Sequence, residues 1–164
     1  MTEPTESGAA RRAEITAAIR ADTGIDEAMI ERLVREFYAR IREDALLGPI
    51  FAARIADWEP HLRQMRDFWS SVALMSGTYH GQPMQKHLPL PVDAKHFDRW
   101  LSLFEATAID LCPPKAAAHF IDRARRIAAS LEFGIAAGQG VVLGKNERFE
   151  RRDLASAIGD TASR

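Results

Sequence analysis

The chain of 164 residues is long enough for one domain with a hydrophobic core, and its content of 46% hydrophobic and 27% charged residues is typical of a globular protein. A formal charge of −1, from 22 basic and 23 acidic side chains, gives no indication of a nucleic-acid or anionic-membrane partner. The single cysteine, Cys112, excludes an intrachain disulfide, no apolar run approaches a membrane span, and residues 1–10 lack a secretory signal. We therefore expect a cytoplasmic protein.

Hydrophobic periodicity predicts four core helices and no β-strand. Residues 1–24 have a weak apolar stripe and are expected to form an accessory helix or a flexible extension. The first core helix carries apolar residues at i, i+3, i+4, i+7, i+8 and i+11, and Asp26 or Asp22 is its expected N-cap. Its stripe consists of Ile30, Leu33, Val34, Phe37, Tyr38 and Ile41. A Gly-Pro pair is expected to break the chain before a short link over 50–56.

The second core helix is predicted to start at Asp57, because aspartate is a preferred N-cap, and to continue to about Met75. Glycines and prolines are frequent over 76–91, so no long helix is expected there. One or two helical turns fit between Pro83 and Pro89.

The third core helix is predicted over about 92–111, where Phe97, Trp100 and Phe104 share an apolar stripe. Two prolines then reset the chain, and the fourth core helix ends near Ile135. Three glycines begin the last segment, 138–164, which is charged and weakly amphipathic and is expected to be flexible. The fold class is therefore all-α, with two loosely anchored ends.

Five histidines are the first candidates for a functional site. His80 and His119 lie among polar or small residues and are interpreted as ordinary surface or half-buried side chains. His96 stands at the edge of an apolar stripe, where it faces either a pocket rim or solvent. His61 shares a helix face with apolar residues, which by itself favours a hydrogen-bonded core histidine. His87 lies in the short segment between two prolines, which can hold an imidazole in a fixed orientation.

Aromatic residues with polar groups accompany these histidines on the first three core helices. Tyr38 adjoins Phe37, Trp69 adjoins Phe68, and Trp100 follows His87 on the third helix. Together they predict a pocket with apolar walls and a few convergent donors. Zinc-binding spacings, phosphate-binding glycine loops and a nucleophile elbow are absent from the sequence. Haem brings its own four equatorial nitrogens and needs only one protein ligand, so it fits this pattern.

In sequence order, these motifs resemble those of a truncated haemoglobin of group III, and the resemblance covers about residues 25–135. The residues that carry it are Phe37-Tyr38, Asp44, Leu47-Gly48-Pro49-Ile50-Phe51, Trp58, His61, Phe68-Trp69, Gly77, Tyr79, Gly81-Gln82-Pro83, Lys86-His87-Leu88, Phe97 and Arg99-Trp100-Leu101. The resemblance implies a two-over-two helical sandwich around haem b, formed by residues 25–137. The segments 1–24 and 138–164 lie outside this domain, and a chain reduced to 25–137 is expected to keep its haem.

The resemblance also implies roles for individual residues. His87 corresponds to the proximal iron ligand, Tyr38 and Trp100 to distal donors, and His61 to a distal histidine that gates the pocket. Whether His61 instead donates to the ligand or coordinates ferric iron stays open. The implied pocket residues are Phe37, Phe51, Leu62, Met65, Phe68, Trp69, Leu88 and Phe97, with Lys86, Arg99 and His96 as candidates for the haem propionates by neighbourhood only.

The expected function is binding of O₂, CO or NO at a histidine-ligated iron. Each of two donors to a ligand with partial negative charge contributes roughly 1.5–3 kcal/mol, so the ligand is expected to be released slowly. Slow release favours redox chemistry, in nitrosative or oxidative stress, over bulk oxygen delivery. Peroxidase-like or nitric oxide dioxygenase-like activity would need an external reductase. The expected state is a monomer or a weak homodimer. The alternative from another class is a haem-free helical signalling or binding module, in which His61 and His87 are structural.

Overall fold

The computed structural model describes residues 4–151 and, within them, contains helices and no strand. Residues 1–3 and 152–164, which belong to the two predicted extensions, lie outside the described residues. The helices are α1 (Pro4–Thr23), α2 (Glu27–Glu43), α3 (Gly48–Arg54), α4 (Trp58–Leu74), α5 (Pro83–His87), α6 (Ala94–Leu111) and α7 (Pro114–Gly138). The predicted all-α fold class is confirmed. None of these helices is long and apolar enough to cross a lipid bilayer.

Four helices form two packed layers. Helix α2 packs on α4, α6 packs on α7, and the two pairs meet where α2 contacts α6 and α4 contacts α7. The shorter helices lie around this centre, with α3 on α2, α5 on α7, and α1 against both α4 and α7. This is the two-over-two arrangement that the family resemblance implies.

Local capping explains where two of the core helices begin. The carboxylate of Asp26 accepts a hydrogen bond from the backbone N–H of Met29 at 2.8 Å, and that of Asp57 accepts one from Glu59 at 3.3 Å. Each bond satisfies an N–H group that the first turn of a helix leaves without a partner. The predicted stripe of α2 is buried, and Asp26 rather than Asp22 is its cap.

The core consists of two neighbouring clusters. In the first cluster, the Phe104 ring stacks on Trp69 at 4.7 Å and on Trp100 at 5.6 Å, and Phe37 meets Phe104 edge-on at 5.1 Å. The second cluster lies between α6, α7 and the chain that follows α7. Its buried members are Val92, Phe97, Ala128, Ile135, Ala136 and Phe149.

The structure corrects two expectations. Residues 50–56 are not simply a link, because Gly48–Arg54 forms helix α3. Pro49 lies in its first turn, where the missing N–H of proline costs nothing, so the proline starts a helix there. The segment after Gly138 is also not loosely anchored as far as it is described, since Phe149 is only 1% exposed.

Candidate functional site

His87 is the last residue of α5 and is half-buried. Its Nδ1 lies 2.5 Å from the carbonyl oxygen of Pro83. Because a carbonyl can only accept, Nδ1 must carry the hydrogen, and in a neutral ring Nε2 then keeps its lone pair. Metal-binding histidines commonly have one ring nitrogen fixed by such a bond while the other coordinates. The proline that starts the helix therefore also orients the imidazole at its end.

Two glycines of α7 allow α5 to pack closely beside it. A Cβ atom on Gly134 would overlap the sulfur of Met84, and one on Gly138 would lie 3.3 Å from Cδ2 of Leu88. Met84 comes three residues before His87 and Leu88 directly follows it, so this contact fixes the side of α5 that faces α7. The sequence reasoning missed Gly134 and Met84. The signal was present as two glycines four residues apart inside a helical pattern, where glycine is otherwise unfavourable.

Tyr38 and His61 form the centre of an aromatic group contributed by α2, α3 and α4. Their ring centroids are 5.1 Å apart and the planes are nearly perpendicular, at 86°. Phe51 and Trp58 each lie 6.0 Å from the Tyr38 ring, and Trp58 lies 5.7 Å from His61. The structure thus brings together two of the predicted distal residues.

His61 contains an unusual polar atom. Its Nε2 is the one buried side-chain nitrogen or oxygen without a hydrogen-bond partner that is found among the described residues. Burial lowers the pKa of His61, and the charges of Lys86 and His87 lower it further. These effects favour a neutral imidazole near neutral pH. They also place His61 within electrostatic range of the proposed iron ligand.

His61 also faces an open groove of about 490 Å³. Four charged residues are among those that line it, namely Arg54, Asp57, Arg63 and Asp67. The side chain of His61 therefore lies between the buried aromatic group and a polar surface.

Tyr38 is only 5% exposed, and burial alone raises the pKa of its phenol. The hydroxyl therefore stays protonated and can act as a hydrogen-bond donor over the physiological pH range. Trp100 is half-buried and packs against both core clusters. Phe37 lies between these two residues, with its ring 5.2 Å from Tyr38 and 5.4 Å from Trp100.

The predicted pocket residues divide into two groups. Phe51, Met65 and Phe68 are half-buried and pack against the first cluster, which suits the wall of a pocket. Others serve the core instead: Trp69 is 2% exposed and stacks on Phe104, and Phe97 belongs to the second cluster.

The basic candidates also differ in their surroundings. The Nε atom of Arg99 donates to Asp44 at 2.6 Å, so the structure gives this guanidinium a protein partner. His96 is 9% exposed, so of the two alternatives left open by the sequence, a pocket rim or solvent, exposure to solvent is wrong. Its Nδ1 accepts from the backbone N–H of Asp93 at 3.0 Å, as part of the cap that begins α6. Lys86 is exposed, and among the three basic candidates it is the one whose charge lowers the pKa of His61.

The residues present fit haem. His87 offers one imidazole nitrogen, and the partnerless Nε2 of His61 and the buried Tyr38 hydroxyl provide polar groups inside apolar surroundings. Residues 4–151 contain no group of three or more His, Cys, Asp or Glu side chains placed to hold a metal ion. A single protein ligand is what a haem iron requires from the proximal side.

The comparisons with known proteins agree with this geometry. The family model described as bacterial-like globin matches residues 22–131. The chain is 40% identical over 86 residues to the group 3 truncated haemoglobin ctb of Campylobacter jejuni, which covers 49% of this chain and 68% of that protein. It is 31% identical over 80 residues to the group 2 truncated haemoglobin YjbI of Bacillus subtilis, covering 48% of this chain and 61% of that one. The crystal structure of a group III truncated haemoglobin from Campylobacter jejuni matches with a TM-score of 0.62 and 34% identity, over 66% of this chain and 89% of that chain.

The two packed pairs α2–α4 and α6–α7, with His87 on the short helix α5 beside them, form the fold of a globin-like protein. The chain belongs to the bacterial-like globin family, as a truncated haemoglobin of group III. Both the globin-like fold and the family resemblance predicted from the sequence are therefore confirmed. Membership of this family implies haem-based binding of gas ligands, which disfavours the alternative of a haem-free signalling module.

Proposed function

We propose that the protein binds haem b through His87 and uses it to bind O₂ and other diatomic ligands, CO and NO. The observation that carries this proposal is the hydrogen bond from Nδ1 of His87 to the Pro83 carbonyl. That bond selects the tautomer in which Nε2 can coordinate, and it fixes the ring plane relative to α5. Haem, when bound, supplies an iron at which a diatomic ligand acquires partial negative charge.

The distal side chains then determine how long such a ligand stays. Tyr38 presents a buried hydroxyl that burial keeps protonated, and the indole of Trp100 is a second donor. A hydrogen bond to a charged group contributes roughly 1.5–3 kcal/mol. Slow release favours redox chemistry on the ligand, in nitrosative or oxidative stress, over oxygen delivery. Lys86 is the favoured partner for a propionate.

A redox cycle of this kind needs electrons from outside the protein. Peroxidase-like and nitric oxide dioxygenase-like reactions both fit the donor set, and each requires an external reductase. We place the protein in the cytoplasm as a monomer or a weak homodimer. The same side chains would serve either reaction.

The test is the variant His87→Ala, with His80→Ala as the control, because His80 is an exposed histidine of the same crossover. We expect His87→Ala to lose most of its haem and the iron–histidine stretching band, while His80→Ala keeps both. Haem content and type are measured as the pyridine haemochrome, whose spectrum identifies haem b. Full haem retention by His87→Ala, with an unchanged Soret band and an unchanged stretching frequency, would refute the proposal.

A further inference from the structure

Residues 139–151, which we call the C-terminal strap, follow α7 and lie outside the part of the chain that the globin family model matches. Phe149 inserts into the second core cluster and is 1% exposed. Its carbonyl accepts a hydrogen bond from the backbone N–H of Ala94 at 2.8 Å, at the first residue of α6. The strap is therefore part of the folded molecule as far as residue 151.

Arg148 attaches the strap to two core helices. Its Nε lies 3.0 Å from each carboxylate oxygen of Glu132 on α7. Its Nη2 donates to Oδ1 of Asp98 on α6 at 2.7 Å. The side chain of Glu132 is only 8% exposed, and Arg148 is the hydrogen-bonded partner that a buried carboxyl group requires. The two carboxylates raise the pKa of Arg148, which stays protonated.

Arg151 reaches the connection that follows α5. Its guanidinium donates to the carbonyl of Leu90 at 2.7 Å and to the carbonyl of Val92 at 3.2 Å. Its backbone N–H donates to Oδ2 of Asp93 at 3.2 Å. Three hydrogen bonds from one residue thus hold the end of the crossover in place.

Leu90 connects Arg151 directly to His87, the proposed iron ligand. Its N–H donates to the carbonyl of His87 at 3.0 Å, while its own carbonyl accepts from Arg151 at 2.7 Å. Helix α5 has only five residues, and so short a helix has little stability of its own. Its orientation must come from its contacts with the rest of the protein. Pro83 fixes the imidazole from one end of α5, and Arg151 acts at the other.

We propose that the C-terminal strap holds His87 in its coordinating position, and that Arg151 is the positioning residue. This inference rests on the proposed role of His87 as the iron ligand. Arg151 acts on His87 through Leu90, whose carbonyl accepts from the guanidinium and whose N–H donates to His87. The strap is then a functional addition to the part of the chain shared with other globins, and shortening the chain to 25–137 is expected to weaken haem binding. This reverses the expectation drawn from the sequence.

The experiment compares Arg151→Met and Arg151→Lys with the control Arg126→Met in the full chain. Arg126 lies on α7 with its side chain 72% exposed. Arg126→Met therefore removes one positive charge, as Arg151→Met does, without changing a contact with the crossover. Hydrogen exchange of the haem-free protein is followed for peptides covering 84–93. Haem loss to an acceptor globin and the iron–histidine stretching band are measured on the loaded protein.

We expect Arg151→Met to speed exchange over 84–93 and to release haem about tenfold faster, with a broadened or shifted stretching band. Arg151→Lys keeps the charge but not both carbonyl contacts, so its effect is expected to be smaller. Arg126→Met should match the unmodified protein. Unchanged exchange and haem loss in Arg151→Met would overturn the inference, and so would equal effects in the Arg126 control. Faster exchange with an unchanged stretching band and haem-loss rate would leave the strap a purely structural element and also overturn it.

The two proposals fail in different ways. If His87→Ala keeps its haem, the proposed ligand is wrong, and positioning of His87 by Arg151 is wrong with it. If His87→Ala loses haem while Arg151→Met behaves as the control does, the ligand assignment stands and the strap inference alone fails.

Discussion

Tyr38 and Trp100 are expected to act together, because each packs edge-on against the same Phe37 ring. We expect Tyr38→Phe and Trp100→Phe each to speed oxygen release by about tenfold or more, which corresponds to about 1.4 kcal/mol of lost hydrogen bonding. Stopped-flow displacement of O₂ by CO measures the rates. Tyr79→Phe is the control, since Tyr79 packs against Phe68, at 5.2 Å, and not against Phe37.

The double variant of Tyr38 and Trp100 is needed to interpret these rates. Residues in one network are generally not additive, because removing one donor lets the other reorient. We therefore expect the double variant to depart from the product of the two single effects. Unchanged release in both single variants and in the double variant would show that neither group donates to the ligand.

His61 is expected to control access more than release. It lies between the buried Tyr38 ring and the open groove, and its Nε2 has no partner among the described residues. We expect His61→Leu to raise the association rates of CO and O₂ and to change oxygen release less than Tyr38→Phe does. Flash photolysis measures association, with the exposed His80→Leu as control.

The pH dependence of association provides a second readout on His61. Burial, Lys86 and His87 lower the pKa of His61 below the usual value of about 6.5, so its imidazole gains a proton only under more acidic conditions. A protonated His61 imidazole favours the groove over the apolar interior. The association rates of CO and O₂ are therefore expected to rise at acidic pH. His61→Leu should remove that rise. A variant with unchanged association and with release raised as much as in Tyr38→Phe would make His61 an ordinary distal donor.

Among the helices, those with a complete apolar stripe and a recognisable cap can be predicted from the sequence. Helix α2 carries a complete apolar stripe and an aspartate cap, so its bounds and buried face can be read directly. Pro83 and Pro89 limit the segment around His87 in the same way. Tyr38 and His61 lie on such helices, so periodicity places them on apolar faces, whereas their distal roles are implied by the family resemblance.

Other elements depend on contacts that no local pattern contains. Helix α3 has seven residues and no side-chain cap, and it packs on α2. The strap has no hydrophobic periodicity. Arg151 attaches it to the backbone carbonyls of Val92 and Leu90, which lie 59 and 61 residues earlier in the chain. Neither the short helix nor the strap could be predicted from spacing, because their stability comes from tertiary partners.

At the scale of the whole molecule, two carboxylates join segments that are distant in sequence. Asp44 accepts from the N–H groups of Leu46 and Leu47 and from Arg99 of α6, at 3.1, 3.0 and 2.6 Å. Asp93 accepts from the backbone of Arg151 and so joins the strap to the start of α6. Burial alone would raise the pKa of each carboxyl group, but these hydrogen bonds outweigh it and lower both.

The lowered pKa values predict how stability responds to acid. An unfolded aspartate has a pKa of about 3.9, so below that pH the unfolded chain binds more protons at these two positions than the folded protein does. The stabilisation from Asp44 and Asp93 is therefore complete above that range and is lost as the pH falls through the lower folded values. It is absent once both states are fully protonated.

The variants Asp44→Asn and Asp93→Asn test this dependence in the haem-free protein, where loss of the cofactor does not alter the unfolding equilibrium. We expect each to be less stable than the unmodified chain at pH 7, by on the order of 1–2 kcal/mol, because the charged acceptor is lost. The difference should shrink as the pH falls below about 3.9, since protonation removes the same charge from the unmodified protein. Urea unfolding followed by circular dichroism from pH 7 to pH 2 measures it. Asp110→Asn is the control, because the Asp110 side chain is 56% exposed and forms an ion pair with Arg40 on the surface. Stability curves that stay parallel over the whole range would mean that neither carboxylate contributes to folding through its charge.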